Sequence, residues 1–349
     1  MSTFEGIVEE IPGISIDRFD GINTESAVLF LSHCHTDHMK GLDNERVQSS
    51  IIEDNKYLYL TSISATIIKN RYPILANNLK ELTIEHANSV PVGDEYISVT
   101  CVPAGHCPGS VMFLFETKNA CILYTGDYRM AASDFKKFKC FYDDFGLVKR
   151  IDKVYLDTTF FLESYQTFPK RQDSLAALCK IISDWTAADP ENYVSLDLPA
   201  QYGYEYVFKE IYSRCLMPVH VSSDKFEFYS KIPELDKCVT TNPSVTKVHN
   251  WTYDGPSGKI RRIKLSALRW TSDNLKKGVI EVDQNYKFYV CYSTHASYQE
   301  GAALIEFLKP KNIHICVEQS DPADNLEMMI LIDKHIRKIQ VKEGKSQFF

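Results

Sequence analysis

The chain has 349 residues, 44% hydrophobic and 24% charged, a composition that supports a large core and two domains. Its net charge of −7 excludes a globally basic polyanion binder, so any nucleic-acid surface has to be a local basic patch. Ten cysteines without a C-x-x-C pair, a start lacking a basic and then apolar leader, and no window near ~18 uninterrupted apolar residues predict reduced thiols in a soluble, intracellular protein.

Along the chain, Ile14-Ser-Ile16-Asp17-Arg-Phe19 alternates as a strand and ends in acid, so Asp17 is a candidate to orient a ligand histidine. The apolar run Val28-Leu29-Phe30-Leu31 predicts a buried strand whose following loop carries His33-Cys-His35-Thr-Asp37-His38. Met39 to Leu42 reads as a short helix or turn, Lys56 to Leu60 as a strand and Ser64 to Lys69 as a helix. From Ile74 to Asp94 the pattern is polar and weakly informative. A strand from Ile97 to Val102 enters a loop of Gly and Pro that holds His106, and the strand Val111 to Phe115 leaves it. Cys121 to Tyr124 and Val154 to Leu156 are further apolar strands, followed by Asp127 and Asp157. Three strand ends, at Leu31, Tyr124 and Leu156, are therefore expected to bring these histidines and acids to one edge of a sheet.

From Phe168 a βα alternation begins. Ser174 to Trp185 is an amphipathic helix with Ser174 as its N-cap, and Tyr193 to Leu196 is a strand. The turn Gln201-Tyr-Gly203-Tyr204-Glu205 feeds a helix and reads either as a phosphate cradle or as tight packing. Val219 to Val221 continues the alternation. Lys259, Arg261, Arg262, Lys264, Arg269, Lys276 and Lys277 form the conspicuous basic cluster, a solvated face or a place for phosphate contacts. The strand Tyr286 to Tyr292 ends in His295, and helices follow over Gln299–Leu308 and Leu326–Ile336, with Asn312–Val317 between them. The tail from Lys342 is expected to fray.

The chemistry can be assembled from these residue types. His33, His35 and His106 suit one metal, with Asp127 as a bridge. Asp37 and His38, sharing Asp127, suit a second ion roughly 3.5–4 Å away, as in two-metal hydrolases. Imidazole dominates and Cys34 is expected to face the core, so Zn2+ is the leading ion, one or two of them, with Mg2+ or Mn2+ as alternatives in the second position. A water held there would attack an ester centre, and His295 would stabilise negative charge or protonate the leaving oxygen. Asp37, His295, Asp157 and Asp17 make up the expected catalytic set, the last two orienting ligands or the water. Phosphodiester, thioester and amide substrates all remain open at this point.

The order His33-x-His35-x-Asp37-His38, His106, Asp127, Asp157, His295 resembles the motifs of the β-CASP nucleases of the metallo-β-lactamase superfamily. Ser15-Ile-Asp17-Arg-Phe-Asp20, Pro103-Ala-Gly-His106-Cys-Pro-Gly, Tyr155-Leu-Asp-Thr-Thr-Phe160 and Tyr202-Gly-Tyr-Glu-Tyr206 resemble the DNA-repair branch of that family. The resemblance implies an α+β fold: an αββα sandwich of residues 1–166 and 286–349, with an α/β β-CASP domain inserted over 167–285. DNA would lie in the groove between them. It also implies metal-dependent phosphodiester hydrolysis, 5′-to-3′ exonucleolytic and endonucleolytic at hairpins and overhangs. The setting would be nuclear: double-strand break repair by end joining, with interstrand crosslink repair as a further role. Lys40, Gly203, Tyr204, Lys259, Arg261, Arg262 and Lys264 are the expected nucleic-acid contacts.

RNA-processing members carry a histidine at their third motif, where this chain has Val317, the choice of the DNA enzymes. Three departures stand out. Thr36 replaces a lysine of the DNA-repair members, removing one phosphate contact. His220 and His249 resemble ligands of a structural zinc site, but Trp251 stands where its cysteine would be, so that site is expected to be absent. The chain ends at Phe349, short of the long polar tail through which such relatives meet kinase and ligase partners of end joining. The resemblance thus carries DNA as a partner further than it carries those proteins. The alternatives are an RNA-processing endonuclease and a small-molecule ester or thioester hydrolase.

Overall fold

The computed structural model describes residues 2–198, 202–250 and 259–346. The chain divides into two compact units, one of residues up to 163 together with those from 294 on, the other of residues 164–293.

In chain order the strands of the first unit begin with β1 (Ile14–Ile16), β2 (Val28–Phe30), β3 (Tyr57–Leu60), β4 (Leu79–Glu81) and β5 (Ala87–Val92). They continue with β6 (Glu95–Pro103), β7 (Val111–Glu116), β8 (Cys121–Tyr124) and β9 (Lys153–Leu156). The second unit adds β10 (Asn192–Asp197), β11 (Val219–His220), β12 (Val239–Thr240), β13 (Val248–His249), β14 (Lys259–Ser266), β15 (Ile280–Val282) and β16 (Phe288–Cys291). The chain then returns to the first unit with β17 (Asn312–Ile315). The helices are α1 (Glu45–Glu53), α2 (Ser62–Arg71), α3 (Ala132–Phe135), α4 (Arg171–Ala188) and α5 (Glu205–Cys215), then α6 (Ser223–Tyr229), α7 (Ser272–Leu275), α8 (Tyr298–Leu308) and α9 (Pro322–Ser346).

Two sheets build the first unit. β1-β2-β3-β4 is a parallel sheet, and β17-β9-β8-β7-β6-β5 is a mixed one. One buried cluster draws Ile16, Phe30 and Tyr59 from the first sheet and Val99, Phe113, Phe115 and Tyr124 from the second, so the sheets pack face to face. Phe30 is its hinge point, with ring centroids 5.4 Å from Tyr59, 5.4 Å from Phe113 and 5.1 Å from Phe115. Truncating a ring in such a place costs about 3–5 kcal/mol. This mixed α/β sandwich is consistent with a metallo-β-lactamase fold.

The packing corrects one expectation. The ligand-bearing strand ends do not share one sheet: β2 lies in the parallel sheet, while β8 and β9 lie in the mixed one. They converge because the two sheets end together, joined there by a hydrogen bond from Val111 N–H to Ser32 C=O at 3.1 Å.

The second unit is a seven-stranded sheet ordered β12-β11-β13-β10-β14-β16-β15, parallel except for the edge strand β15. β16 pairs with β14 inside this sheet, so residues 286–293, expected in the sandwich, lie in the second unit. An apolar run of four residues reads as a strand in either sheet, and only its pairing tells them apart.

Helix ends also differ from expectation. α4 starts at Arg171 with Lys170 as N-cap, and Ser174 is buried within it. α8 begins on a capping box in which Ser297 and Glu300 satisfy each other's backbone N–H, which fixes the turn that carries His295. α9 continues to Ser346, well past Ile336 and through the segment expected to fray. Residues 74–94, weakly informative in sequence, contain β4 and all of β5, whose mixed polar and apolar residues suit half-exposed strands. Among the described residues no helix is long and apolar enough to cross a membrane.

Candidate metal centre

Two glycines aim the ligands. Gly105 precedes His106 at φ +66°, and a Cβ there would sit 2.7 Å from the Arg129 carbonyl oxygen. Gly126 precedes Asp127 at φ +49°, where a Cβ would meet Ser32 Oγ at 2.7 Å. Only glycine reconciles these left-handed turns with such close neighbours.

The turns place His33, His35, His106 and Asp127 as one group with converging ligand atoms. His33 Nε2 lies 3.1 Å from His35 Nδ1, which lies 2.9 Å from His106 Nε2. Asp127 Oδ2 is 3.6 Å from His33 Nε2 and 3.5 Å from His106 Nε2. A tetrahedral ion with bonds of about 2.0–2.1 Å has ligand atoms about 3.3 Å apart, and the observed distances bracket that value.

The far nitrogens of these rings are held by the protein. His106 Nδ1–H donates to the Thr294 carbonyl at 2.9 Å. Ser32 Oγ–H donates to Asp17 Oδ2 at 2.5 Å, and so accepts from His33 Nδ1–H at 3.0 Å. Each tautomer leaves Nε2 with its lone pair toward the group, as a ligand needs. Burial, followed by the charges of neighbouring imidazoles, pushes His33 and His106 well below the ordinary imidazole range, which keeps them neutral.

Asp127 faces two ways. Its Oδ1 lies 3.3 Å from His38 Nε2, while its Oδ2 serves the first group and lies 3.8 Å from His295 Nε2. His38 Nε2 is buried without a hydrogen-bond partner, while its Nδ1–H donates to Asp17 Oδ2 at 2.8 Å. A buried imidazole nitrogen facing a carboxylate oxygen is a donor set that fits a cation. Burial raises the Asp127 carboxyl, but His38 and His295 outweigh it and hold the group well below the usual range. Burial likewise opposes the charge on His38, yet Asp127 and Asp17 raise it well above an ordinary imidazole.

Asp17 and Asp157 are buried carboxylates that hydrogen-bond to His38 and His295. Asp17 is 4% exposed and collects Ser32 N–H, Ser32 Oγ–H, Tyr124 O–H and His38 Nδ1–H. Its φ of 57° is a left-handed conformation that aspartate tolerates at a cost. Asp17→Asn should keep the shape but lose acceptors, weakening metal affinity about 10–100-fold in a competitive chelator titration. Asp157 is 5% exposed, accepts from Thr159 N–H and Oγ–H, and takes His295 Nδ1–H on Oδ2 at 3.0 Å. Asp127, Asp157 and His295 form a further group with converging ligand atoms. Burial opposes a charge on His295, but Asp127 and Asp157 raise it.

Asp37 lies outside these groups. Its Oδ2 accepts the Ser2 N–H at 3.0 Å. Cys34 faces the core as expected, its thiol donating to the Ser64 carbonyl and pushed up to about 12 by burial. Sequence reasoning missed Ser32, Tyr124 and the Thr294 carbonyl. For Tyr124 a signal existed, a hydroxyl on the last residue of a buried strand, and such a group needs a partner.

The expected nucleic-acid contacts separate. The Gly203 N–H is already given to the buried Glu205 carboxylate, at 3.1 and 2.9 Å to its two oxygens, so that N–H is not offered to a phosphate. Tyr204 follows as the N-cap of α5. Along β14 alternate residues point oppositely. Arg261 stacks at 4.1 Å over Trp185 of α4 and at 4.5 Å over Phe288, and the alternation puts Lys259, exposed at the start of the strand, on that same face. Arg262 and Lys264, paired with Ser195 and Asp197 of β10, occupy the other face. Lys264 lies 4.0 Å from Asp197, and Lys287 2.7 Å from it. Arg269 and Lys276 are committed to Glu281 and Asp273 at 2.7 Å each. Lys40 is exposed, 3.8 Å from Asp20. His220 and His249 sit on neighbouring strands with their Nδ1 atoms 2.9 Å apart, and Trp251 lies outside the described residues.

Residues 235–321 match the family "DNA repair metallo-beta-lactamase". Protein artemis of Danio rerio is 33% identical over 343 residues, covering 90% of this chain and 53% of that one. The 5′ exonuclease Apollo of Mus musculus is 25% identical over 330 residues, covering 90% and 55%. The chain spans about half the length of the curated relatives it matches. A crystal structure of a protein of unknown function from Enterococcus faecalis V583 shares the fold, with a TM-score of 0.52, 16% identity, and 83% and 75% of the two chains covered. Over 90% of its length the chain is similar to Artemis, and residues 235–321 are similar to the DNA repair metallo-beta-lactamase family.

Proposed function

We propose that this chain is a metal-dependent DNA nuclease, with residues 164–293 as its β-CASP domain and the sandwich of the first unit as its catalytic body. The observation that carries the reading is the meeting of His33, His35, His106 and Asp127, with His38 and His295 on the two oxygens of the same aspartate. An exonuclease activity at 5′ ends follows the name of the relative 5′ exonuclease Apollo, and its 5′-to-3′ direction follows the sequence resemblance. Hairpin and overhang opening, end joining, crosslink repair and a nuclear location follow the sequence resemblance.

Zn2+ is the proposed ion for the first group, held by His33, His35, His106 and Asp127. Zn2+, Mg2+ or Mn2+ would be held by Asp127 and His38, with Asp37 turning from Ser2. When bound, such ions supply a water acidic enough to ionise near neutral pH and a positive centre for phosphate oxygens. Asp17 fixes His38 directly and His33 through Ser32, so both ligand nitrogens keep their direction. Asp157 holds His295 by Nδ1–H, leaving Nε2 to carry a proton toward the leaving oxygen.

Val317 supports DNA over RNA. Its N–H and C=O both bond Thr158 Oγ1, at 3.1 and 2.7 Å, directly beside Asp157, whereas His314 packs against Tyr155 and Phe4. The Val317 backbone is thereby fixed to the residue that follows Asp157. Arg262 and Lys264 are the proposed phosphate contacts. Arg262→Ala and Lys264→Ala should each lower the salt slope of single-stranded DNA binding by about 0.7, while Arg261→Ala, losing its stack, should leave it unchanged.

The test is cleavage of matched 5′-phosphorylated single-stranded DNA, hairpin DNA and RNA, with small thioesters alongside. Chelator-sensitive cutting that favours DNA is expected. A preference for RNA would overturn the reading of Val317, and turnover of the thioesters alone would overturn the nuclease.

A further inference from the structure

We propose that Cys179 and Cys215 are a thiol modification site of the second unit, oxidised to an intramolecular disulfide by low-molecular-weight disulfides of the glutathione class. Cys179 lies mid-way along α4 and Cys215 is the last residue of α5, a helix that packs on α4. Cys215 Sγ is 3.7 Å from the Cys179 carbonyl and 3.4 Å from Ser183 Oγ. Residues 179 and 183 are one helical turn apart, so the Cys215 sulfur sits in the groove between them. The Cys179 thiol faces α5 as well, donating to the Glu210 carbonyl at 3.7 Å, on the helix that ends in Cys215. Bridging them requires Cα atoms about 4.4–6.8 Å apart, and formation of the cross-link tests that condition.

The two sulfurs are unequal, which assigns their roles. Cys179 is buried, whereas Cys215 is half-buried at a helix end, next to Leu216, which is 79% exposed. Hydrogen bonding from Cys179 favours the Cys215 thiolate, burial opposes it, and the Ser183 hydroxyl adds a second donor; together they bring Cys215 to about 7 and push Cys179 up. Burial holds Cys34, Cys101 and Cys121 at about 12 and Cys140 at about 11, so those thiols do not compete.

The chemistry balances in two exchanges. Cys215 thiolate attacks one sulfur of the small disulfide, breaks its S–S bond and releases one small thiolate. Cys179 then gives its proton to water and attacks Cys215 Sγ, releasing the second small thiolate. Two protein thiols are oxidised and one disulfide is reduced to two thiols, a two-electron transfer.

The experiment incubates the full chain with oxidised glutathione, quenches with an alkylating agent and maps peptides by mass spectrometry. A Cys179–Cys215 cross-link with loss of two hydrogens, reversed by dithiothreitol, is expected in the unsubstituted chain. Cys179→Ser should stop at a glutathione adduct on Cys215, and Cys215→Ser should leave Cys179 unmodified. From pH 8 to pH 6 the rate should fall about tenfold, against roughly eightyfold for an ordinary thiol of pKa ~8.5. An unmodified Cys215, a persistent glutathione adduct in the unsubstituted chain, or the eightyfold fall would each overturn the assignment.

Discussion

Asp127→Asn is expected to lower DNA cleavage by about 10³-fold, roughly 4 kcal/mol of lost electrostatic stabilisation. The carboxylate presents Oδ2 to His33 and His106 and Oδ1 to His38, so it stands between both halves of the centre. Asparagine keeps the shape but has a single acceptor and no charge. It cannot serve both sides. Single-turnover cleavage measured beside the bound-metal count checks this. Near-normal rates with full metal would show that Asp127 is not shared between the two halves.

The second large effect concerns the proton donor. His295→Ala should reduce cleavage about 10²–10⁴-fold while leaving the ions held by His33, His35 and His106 in place. Asp157 acts through His295, whose Nδ1–H it accepts at 3.0 Å. Asp157→Asn should therefore cost less than His295→Ala, and the double variant no more than His295→Ala alone. Additive losses would mean that Asp157 meets the substrate by itself. Its 5% exposure argues against that.

Much of the centre was legible because ligand types follow apolar strands at short spacing. Leu31, Tyr124 and Leu156 each mark the end of a buried run, and the polar residue just beyond has nowhere to point but the end of the sandwich. That β2 and β8 belong to different sheets was not legible, because a run of apolar residues carries no record of its partner strand. β16 shows the same limit, since the pairing that draws Phe288–Cys291 to β14 is a tertiary choice. The basic cluster was legible as a composition, yet its division between the two faces of β14 depends on what covers each face. Trp185 and Phe288 claim Arg261, and neither is near it in sequence. At Gly203 the turn was recognised correctly, but Glu205, two residues on, already fills it. Asp37 sat in the right motif and is found at Ser2 N–H, a contact that no spacing argument could supply.

The most direct measurement strips the chain with a chelator, adds back Zn2+, Mg2+ or Mn2+ in counted equivalents, and follows cleavage of 5′-phosphorylated single-stranded DNA. Activity that returns in proportion to bound ion, saturates at one or two equivalents and is lost in His33→Ala is the predicted result. Full cleavage by chain that holds no ion, or none by fully loaded chain on any DNA substrate, would contradict a metal-dependent DNA nuclease.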